Sequence, residues 1–343
     1  MSTRSRPRAL FICGSLNQTT QMHAIARELP EYESRFTPYY GDEIVSFARS
    51  LGLLEMAIVG NKRRRWCLEY LSDHQLAIDD CGREGGYELV VTCSDLLVPR
   101  NIREARIVLV QEGILDQPGF LTALGKSLRW MPRPLAGTSL TGQSGLFDRF
   151  CVASEGYRSF FVSEGVDPYK VVVTGIPNFD DCRRYRINDF PHEGYVLVCT
   201  SDSRETFKRD DRAGLVKRAL EIAEGRLVIF KLHPNERHER AAAEILALAP
   251  DALVYSSGSA EEMIANAAVV VTQWSSTVFV AMALGKEVHS NVAIDELRRL
   301  LPIQNGGRSA KNIARVCREA LSSTPLHPLE APLAPLRLAA GAV

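Results

Sequence analysis

The hydrophobic positions of this chain fall into short continuous runs, not into an apolar–polar alternation. Ten runs read as strands: Ala9–Cys13, Ala57–Val59, Glu88–Cys93, Arg106–Val110, Arg149–Ala153, Val171–Thr174, Tyr195–Thr200, Arg226–Lys231, Leu253–Tyr255 and Ala268–Thr272. Most are rich in β-branched residues, the pattern of a parallel strand covered on both faces. Between them the period changes to that of amphipathic helices. These cover Gln21–Leu29, Arg63–His74, Glu155–Glu164, Asp211–Glu224, Glu236–Leu248, Glu261–Asn266, Val278–Leu284 and Ala310–Leu321. Strand–helix alternation of this kind predicts an α/β, doubly wound fold.

A chain of 343 residues is too long for one ordinary α/β domain. The stretch DCRRYRINDFPHEG, residues 181–194, is polar and turn-rich, and a fresh strand follows it. The expected organisation is therefore two Rossmann-like domains, residues 1–182 and 193–321, facing each other across a cleft. A tail biased towards Pro, Ala and Leu, residues 322–343, completes the chain.

Composition narrows the class. Lys+Arg and Asp+Glu balance at 41 each, which argues against the broad basic footprint of a nucleic-acid binder. None of the eight cysteines stands in a zinc-type spacing, and Cys13, Cys93 and Cys199 sit inside apolar runs. They read as buried side chains with free thiols, which fits a reducing cytoplasm. The N-terminal apolar run is too short for a signal peptide, and no run reaches the ~18 residues of a membrane span. Residues 119–137 mix Phe120, Trp130 and Met131 with Lys126, Arg129 and Arg133. This stretch reads either as a core-packing helix or as an amphipathic element at the inner face of the membrane. The second reading would imply a membrane-associated acceptor.

Ligands of open parallel sheets bind beyond the carboxyl ends of strands, so the polar residues there carry the chemistry. Gly14, Ser15 and Asn17 follow the first run and precede a helix, where they can turn, cap or meet an acceptor. The loop is not GxGxxG, so a dinucleotide site of the usual kind is not expected. Asp95 follows the Glu88–Cys93 run and reads equally as an N-cap and as a carboxylate facing the cleft. Glu112 ends the Arg106–Val110 run between Gln111 and Gly113. A carboxylate at the end of a buried strand suits a general base, the alternative being a pair with a nearby Arg. His233, held rigid by Pro234 and set beside Lys231 and Asn235, is placed to donate to a phosphate oxygen. Ser275, Ser276 and Thr277 open a helix, where hydroxyls, backbone N–H groups and the dipole favour an anion. Capping alone would need one hydroxyl. Ser201 and Ser203, near Arg204 and Lys208, form a weaker candidate against an ordinary solvated loop. The acidic pair Asp180–Asp181 lies at the linker edge, not at a strand end, so neither a metal nor a cofactor is expected.

The segments KLHPNE (231–236) and MIANAAVVVTQWSSTVFVAMALGKEV (263–288) resemble the donor half of GT-B-fold enzymes. One similar group is the glycerophosphotransferases that polymerise teichoic acids, with related capsule glycosyltransferases. These carry an HP motif, an apolar strand, a Ser-Ser pair and a helix ending in a Gly-Lys/Pro turn. The other is the UDP-N-acetylglucosamine 2-epimerases, which VVVTGIPNFD (171–180) and KLHPN resemble. The resemblance covers mainly residues 88–113 and 149–290. It implies that His233, Ser275, Ser276 and Thr277 contact donor phosphates. It implies that Glu112 matches the acidic residue of the D/E-D/E-G motif of bacterial sialyltransferases, the base on the acceptor hydroxyl. Gln111 stands where that motif has its first acid. The base and ribose are expected near Ser257, Ser259 and Glu261.

Two departures separate the chain from the epimerases. Their donor loop runs Ser-Gly-Gly and then a Glu pair, whereas Ser275–Phe279 has no carboxylate. Their Glu-Glu-x-x-Arg segment is replaced by LTGQSGLFDR. The resemblance thus implies a glycosyltransferase that takes a nucleotide-activated sugar and a hydroxyl acceptor, lipid-linked or a surface-glycan precursor. The alternatives are an NDP-sugar 2-epimerase, a CDP-alcohol phosphotransferase and an inactive nucleotide-binding scaffold. A homodimer is compatible with all of them.

Overall fold

The computed structural model describes residues 6–42, 61–112, 142, 144–205, 210–273 and 275–322, with backbone alone at 61–63. The run Ala57–Val59 and the amphipathic stretch 119–137 lie outside the described residues. The chain divides into two compact units. The first holds the described residues of Met1–Glu112, Gly142–Asp181 and Pro302–Val343, and the described part of the second is Cys182–Leu301.

The first unit has six parallel strands: β1 (Arg8–Cys13), β2 (Glu33–Pro38), β3 (Leu89–Thr92), β4 (Arg106–Val110), β5 (Arg149–Val152) and β6 (Val171–Val173). Their order is β2-β1-β3-β4-β5-β6. Its helices include α1 (Leu16–Arg27), α2 (Asn61–Asp73) and α3 (Glu155–Ser163). The chain leaves β1 towards one edge and returns for β3 on the other side. The topological switch therefore lies between β1 and β3.

The second unit has five parallel strands: β7 (Val196–Cys199), β8 (Val228–Lys231), β9 (Leu253–Tyr255), β10 (Val269–Thr272) and β11 (Glu287–His289). They run in the order β11-β10-β7-β8-β9, which puts its switch between β7 and β10. The helices are α4 (Arg212–Ala223), α5 (His238–Leu248), α6 (Ala260–Asn266), α7 (Thr277–Ala283) and α8 (Ile294–Leu300). Val196, Val198, Phe230 and Val271 cluster with Leu215, Val216 and Ile245 of α4 and α5. On the opposite face, Tyr195 donates its hydroxyl to Met263 O at 2.6 Å, under α6. Burial of each large apolar side chain contributes about 1.5–3 kcal/mol, and continuous apolar strands supply such burial on both faces.

Three elements depart from the sequence reading. β2 and β11 were not predicted, because ESRFTP and EVH lack a continuous apolar run. Both lie at the edge of their sheet, β2 with only a single bridge from Phe36 to Ile78 on its outer side, so neither needs to be apolar throughout. α8 was not predicted either.

The final helix α9 (Ser309–Leu321) belongs to the first unit, not to the 193–321 half as expected. Local amphipathicity does not say which sheet a helix covers. Here the chain is captured by hydrogen bonds: Ile303 N–H donates to Ala153 O at 3.0 Å, and Asn305 N–H to Asp180 O at 2.9 Å. The buried carboxylate of Asp180 then accepts Ser309 N–H at 2.8 Å, at the start of α9. The buried residues Ile313, Ala314, Val316 and Cys317 face α1, β4 and β5.

All eight cysteines are free thiols, and all but Cys81 are buried. Burial pushes Cys151 and Cys199 up to about 12 from an ordinary value of 9.0. A group raised on folding contributes stability that is complete below its unfolded value and is lost as pH rises towards its folded one. Urea midpoints are therefore expected to fall between pH about 9 and about 12, and to fall less steeply in Cys151→Ala and Cys199→Ala. An identical pH slope in both variants would contradict this assignment.

Candidate functional site

At the carboxyl edge of the first unit, Glu112 is held by the start of α1. Ser15 is the N-cap of that helix and Gln18 its third residue, and together they form a capping box. Ser15 Oγ accepts Gln18 N–H at 3.2 Å, and Gln18 Oε1 accepts Ser15 N–H at 3.1 Å. The same two side chains then donate to Glu112. Ser15 Oγ reaches Oε1 at 2.7 Å, and Gln18 Nε2 reaches Oε2. A capping device thus doubles as a carboxylate cradle. Gly14 exists for the same reason: a Cβ there would lie 1.6 Å from Gln18 Oε1. Asn17 is exposed, and its carbonyl accepts from Asn178 Nδ2 at 2.9 Å.

Asp95 has a different setting from the one expected of a catalytic carboxylate. It is buried, and its two oxygens accept the N–H groups of Gly142 at 2.8 Å and Ser144 at 2.9 Å. Those bonds staple the loop that leads into β5. Behind Glu112, Gln111 accepts Ala153 N–H at 2.9 Å, and Gln21 donates to Gln111 O at 3.0 Å.

In the second unit, β10, β7 and β8 are neighbours, and Thr272, Cys199 and Lys231 stand level with one another. The loops after them rise from three adjacent strand ends. The hydroxyl loop and the histidine loop are thus two strand spacings apart, about 10 Å. Ser276 occupies the N-cap position of α7 with no capping bond from its side chain. Ser275 takes that role instead: its hydroxyl accepts from Thr277 Oγ1 at 2.9 Å and from Thr277 N–H at 3.4 Å. Three hydroxyls are present and one performs the local capping. α7 has seven residues, so the hydroxyls and not a long helix dipole dominate this corner. Ser201 and Ser203 hydrogen-bond each other at 2.9 Å, with Ser203 buried.

His233 is half-buried, and its Nδ1 accepts Asn235 N–H at 3.2 Å. Two residues before it, Lys231 is buried at the end of β8 and donates to Leu232 O at 3.1 Å. Burial pushes its ammonium below the ordinary lysine value, while Cys199, Glu261 and Glu236 act in the opposite direction. Ser259 is the N-cap of α6: it accepts Glu262 N–H at 3.2 Å and donates to Glu261 Oε2 at 3.0 Å. Ser257 is exposed.

The structure therefore brings Ser275, Ser276, Thr277, Ser201 and His233 to one edge, with Ser259 and Glu261 at the start of α6. It gathers Gly14, Ser15 and Glu112 at the edge of the other sheet. Sequence reading missed Gln18, Lys231 as a site residue, and the buried pair Arg212–Glu236. A polar residue three positions after an N-cap serine signals a capping box, and Lys231 is a cation ending an apolar run. Both signals were present.

No protein-family model matches the chain, and no curated protein is similar to it in sequence. Solved structures are similar in fold. The UDP-GlcNAc 2-epimerase of Neisseria meningitidis bound to UDP-GlcNAc superposes with a TM-score of 0.53 at 12% identity, covering 91% of each chain. S. aureus MnaA, in a co-structure with UDP, gives 0.55 at 13% identity, covering 91% of this chain and 87% of that one. The wall teichoic acid polymerase TagF gives 0.51 at 10% identity, covering 92% and 88%. The fold is that of the GT-B enzymes. At these identities the likeness establishes the fold, two Rossmann-like units, and not the reaction. Among the described residues no helix is long and apolar enough to cross a membrane.

The cradle makes a direct prediction. Gly14→Ala must expel the Gln18 amide, and Gln18→Ala removes it, so each is expected to cost about 1–3 kcal/mol of stability. Because both break the same bonds, the double variant should cost little more than either single one in urea unfolding. Additive losses would contradict the shared cradle.

Proposed function

We propose that this protein is a glycosyltransferase that moves a sugar from a nucleotide-activated donor to a hydroxyl acceptor. The observation that carries the reading is the second unit's carboxyl edge. There, Ser276 at the start of α7, the half-buried His233 after β8 and the buried Lys231 at the end of β8 stand at the ends of the adjacent strands β10, β7 and β8. Hydroxyl, imidazole and ammonium groups gathered at one sheet edge, beside its switch point, suit the oxygens of a diphosphate. They would stabilise the charge that develops on a leaving nucleoside diphosphate, a role that needs only preorganised donors. Glu261, which accepts from Ser259 at the start of α6, is the candidate ribose contact. Glu112 is the candidate base for the acceptor hydroxyl, held in one orientation by Ser15 and Gln18. The structures similar in fold include proteins captured with UDP or UDP-GlcNAc, which supports a uridine nucleotide as the first donor to test.

A 2-epimerase is the second reading, since several structures of similar fold carry that name. It asks for carboxylates around the donor sugar, and the loop Ser275–Phe279 offers none. Incubation with UDP-GlcNAc alone separates the two. An epimerase forms the C2 epimer or releases UDP without an acceptor, whereas the transferase reading requires an acceptor for turnover.

The binding half is tested by melting the protein with UDP, GDP, CDP and CMP. A ligand that binds only the native state raises the melting temperature by mass action. At least one nucleotide should do so, and Ser276→Ala and His233→Gln should each weaken its affinity about tenfold. Glu112→Gln should leave that affinity unchanged while abolishing turnover once an acceptor is found. A shift that survives both Ser276→Ala and His233→Gln would place the diphosphate elsewhere.

A further inference from the structure

The four-residue turn that carries His233 is closed twice. Its backbone closes it when Glu236 N–H donates to His233 O at 3.0 Å, with Pro234 and Asn235 at the corner. Pro234 fixes its own φ and suits the first corner position. The side chain of Glu236 closes the turn a second time. Its Oε2 accepts His233 N–H at 2.9 Å and also the hydroxyl of Thr200. Thr200 Oγ1 shares the same His233 N–H at 3.0 Å. The turn is thereby tied to the end of β7, the strand next to β8.

The other oxygen of Glu236 pairs with Arg212. Both side chains are buried, at 6% and 5% exposure. Arg212 also lies 3.4 Å from Asp210 Oδ2, which Arg204 holds at 2.8 Å. Removing one member of a buried pair strands the other, so such a pair holds geometry more firmly than its net energy suggests.

The consequence reaches the imidazole. Because the turn is fixed, Asn235 N–H points at Nδ1 of His233. A ring nitrogen that accepts a hydrogen bond carries no proton, so the neutral ring carries its proton on Nε2. Asp202 Oδ2, 3.8 Å from the same Nδ1, is occupied by Asn235 Nδ2 at 2.9 Å.

We propose that Glu236, backed by Arg212, is a positioning residue that locks His233 in its Nε2–H tautomer, so that the ring serves as a hydrogen-bond donor and not as a base. The ligand half of this statement rests on the reading of His233 as a diphosphate contact, whereas the tautomer does not. The lock accounts for why a glutamate follows the His-Pro-Asn triplet. It also leaves proton removal from the acceptor to Glu112.

The test uses the full chain labelled with 15N at histidine and two-bond proton–nitrogen correlation spectra at about pH 8.5, where an ordinary imidazole is neutral. His233→Gln assigns the signals among the seven histidines. The wild type should show a protonated Nε2 and a bare Nδ1. Glu236→Gln should move the ring signals towards a mixture of tautomers and weaken UDP binding about tenfold. In a His233→Gln background it should change UDP affinity no further, since it acts through that ring. If Glu236→Gln does not fold, Thr200→Val loosens the clamp while sparing the ion pair, and Thr200→Ser should restore the wild-type signals. An Nδ1–H tautomer in the wild type overturns the proposal, as do unchanged ring signals in a folded clamp variant. Wild-type protein that shows the Nε2–H tautomer but binds no UDP supports the lock and counts against the nucleotide reading instead.

Discussion

Parallel strands impose one constraint on everything else here. In both sheets every strand points the same way, so all carboxyl ends meet one edge. Along the strands, backbone polar groups are satisfied by the ladder and side chains can be apolar on both faces. At the edge the ladder stops, and the chain must find other partners for its N–H and C=O groups. Ser15, Gln18, Asp95, Glu236 and Ser259 all supply such partners. The same concentration of polar groups makes the edge able to meet a ligand.

The two edges solve this problem with the same kind of device. In each, a carboxylate beyond a strand end is gripped by donors that include a segment following another strand of the same sheet. Glu112 is gripped by the α1 capping box, and Glu236 by Thr200, His233 N–H and Arg212. The roles differ because the surroundings differ. Glu112 is half-buried, a carboxylate within reach of solvent at a sheet edge. Glu236 is enclosed, and its charge is spent on an arginine and a turn. Carboxylates that look alike in the sequence thus separate into a candidate reactant and a structural clamp.

Much of the fold was legible because central parallel strands announce themselves. β3, β4, β5, β7, β8 and β10 are continuous apolar runs, and nothing else in a globular chain of this composition needs to be. The edge strands β2 and β11 carry no such signal, since a strand at the edge of its sheet tolerates polar residues. The assignment of α9 to the first unit was not legible, because its apolar face fits either sheet and long-range bonds to Asp180 and Ala153 decide between them. At the site, Glu112, His233 and Ser276 were visible as chemistry placed at strand ends. Glu236 and Arg212 were not, since each reads locally as an ordinary helix residue, nor was Gln18, which reads as part of a loop although its spacing from Ser15 fits a capping box. The helix predicted from Glu236 in fact begins at His238, and the released glutamate becomes the clamp. Asp95 shows the converse: a carboxylate at a strand end can be wholly occupied by backbone N–H groups.

The central claim is that a diphosphate sits where β10, β7 and β8 end. Crystals of the protein soaked with UDP test it most directly. The account predicts density for both phosphates within hydrogen-bond distance of Ser276 Oγ and His233 Nε2, with Lys231 Nζ close by. A nucleotide bound with its phosphates away from all three side chains would contradict it.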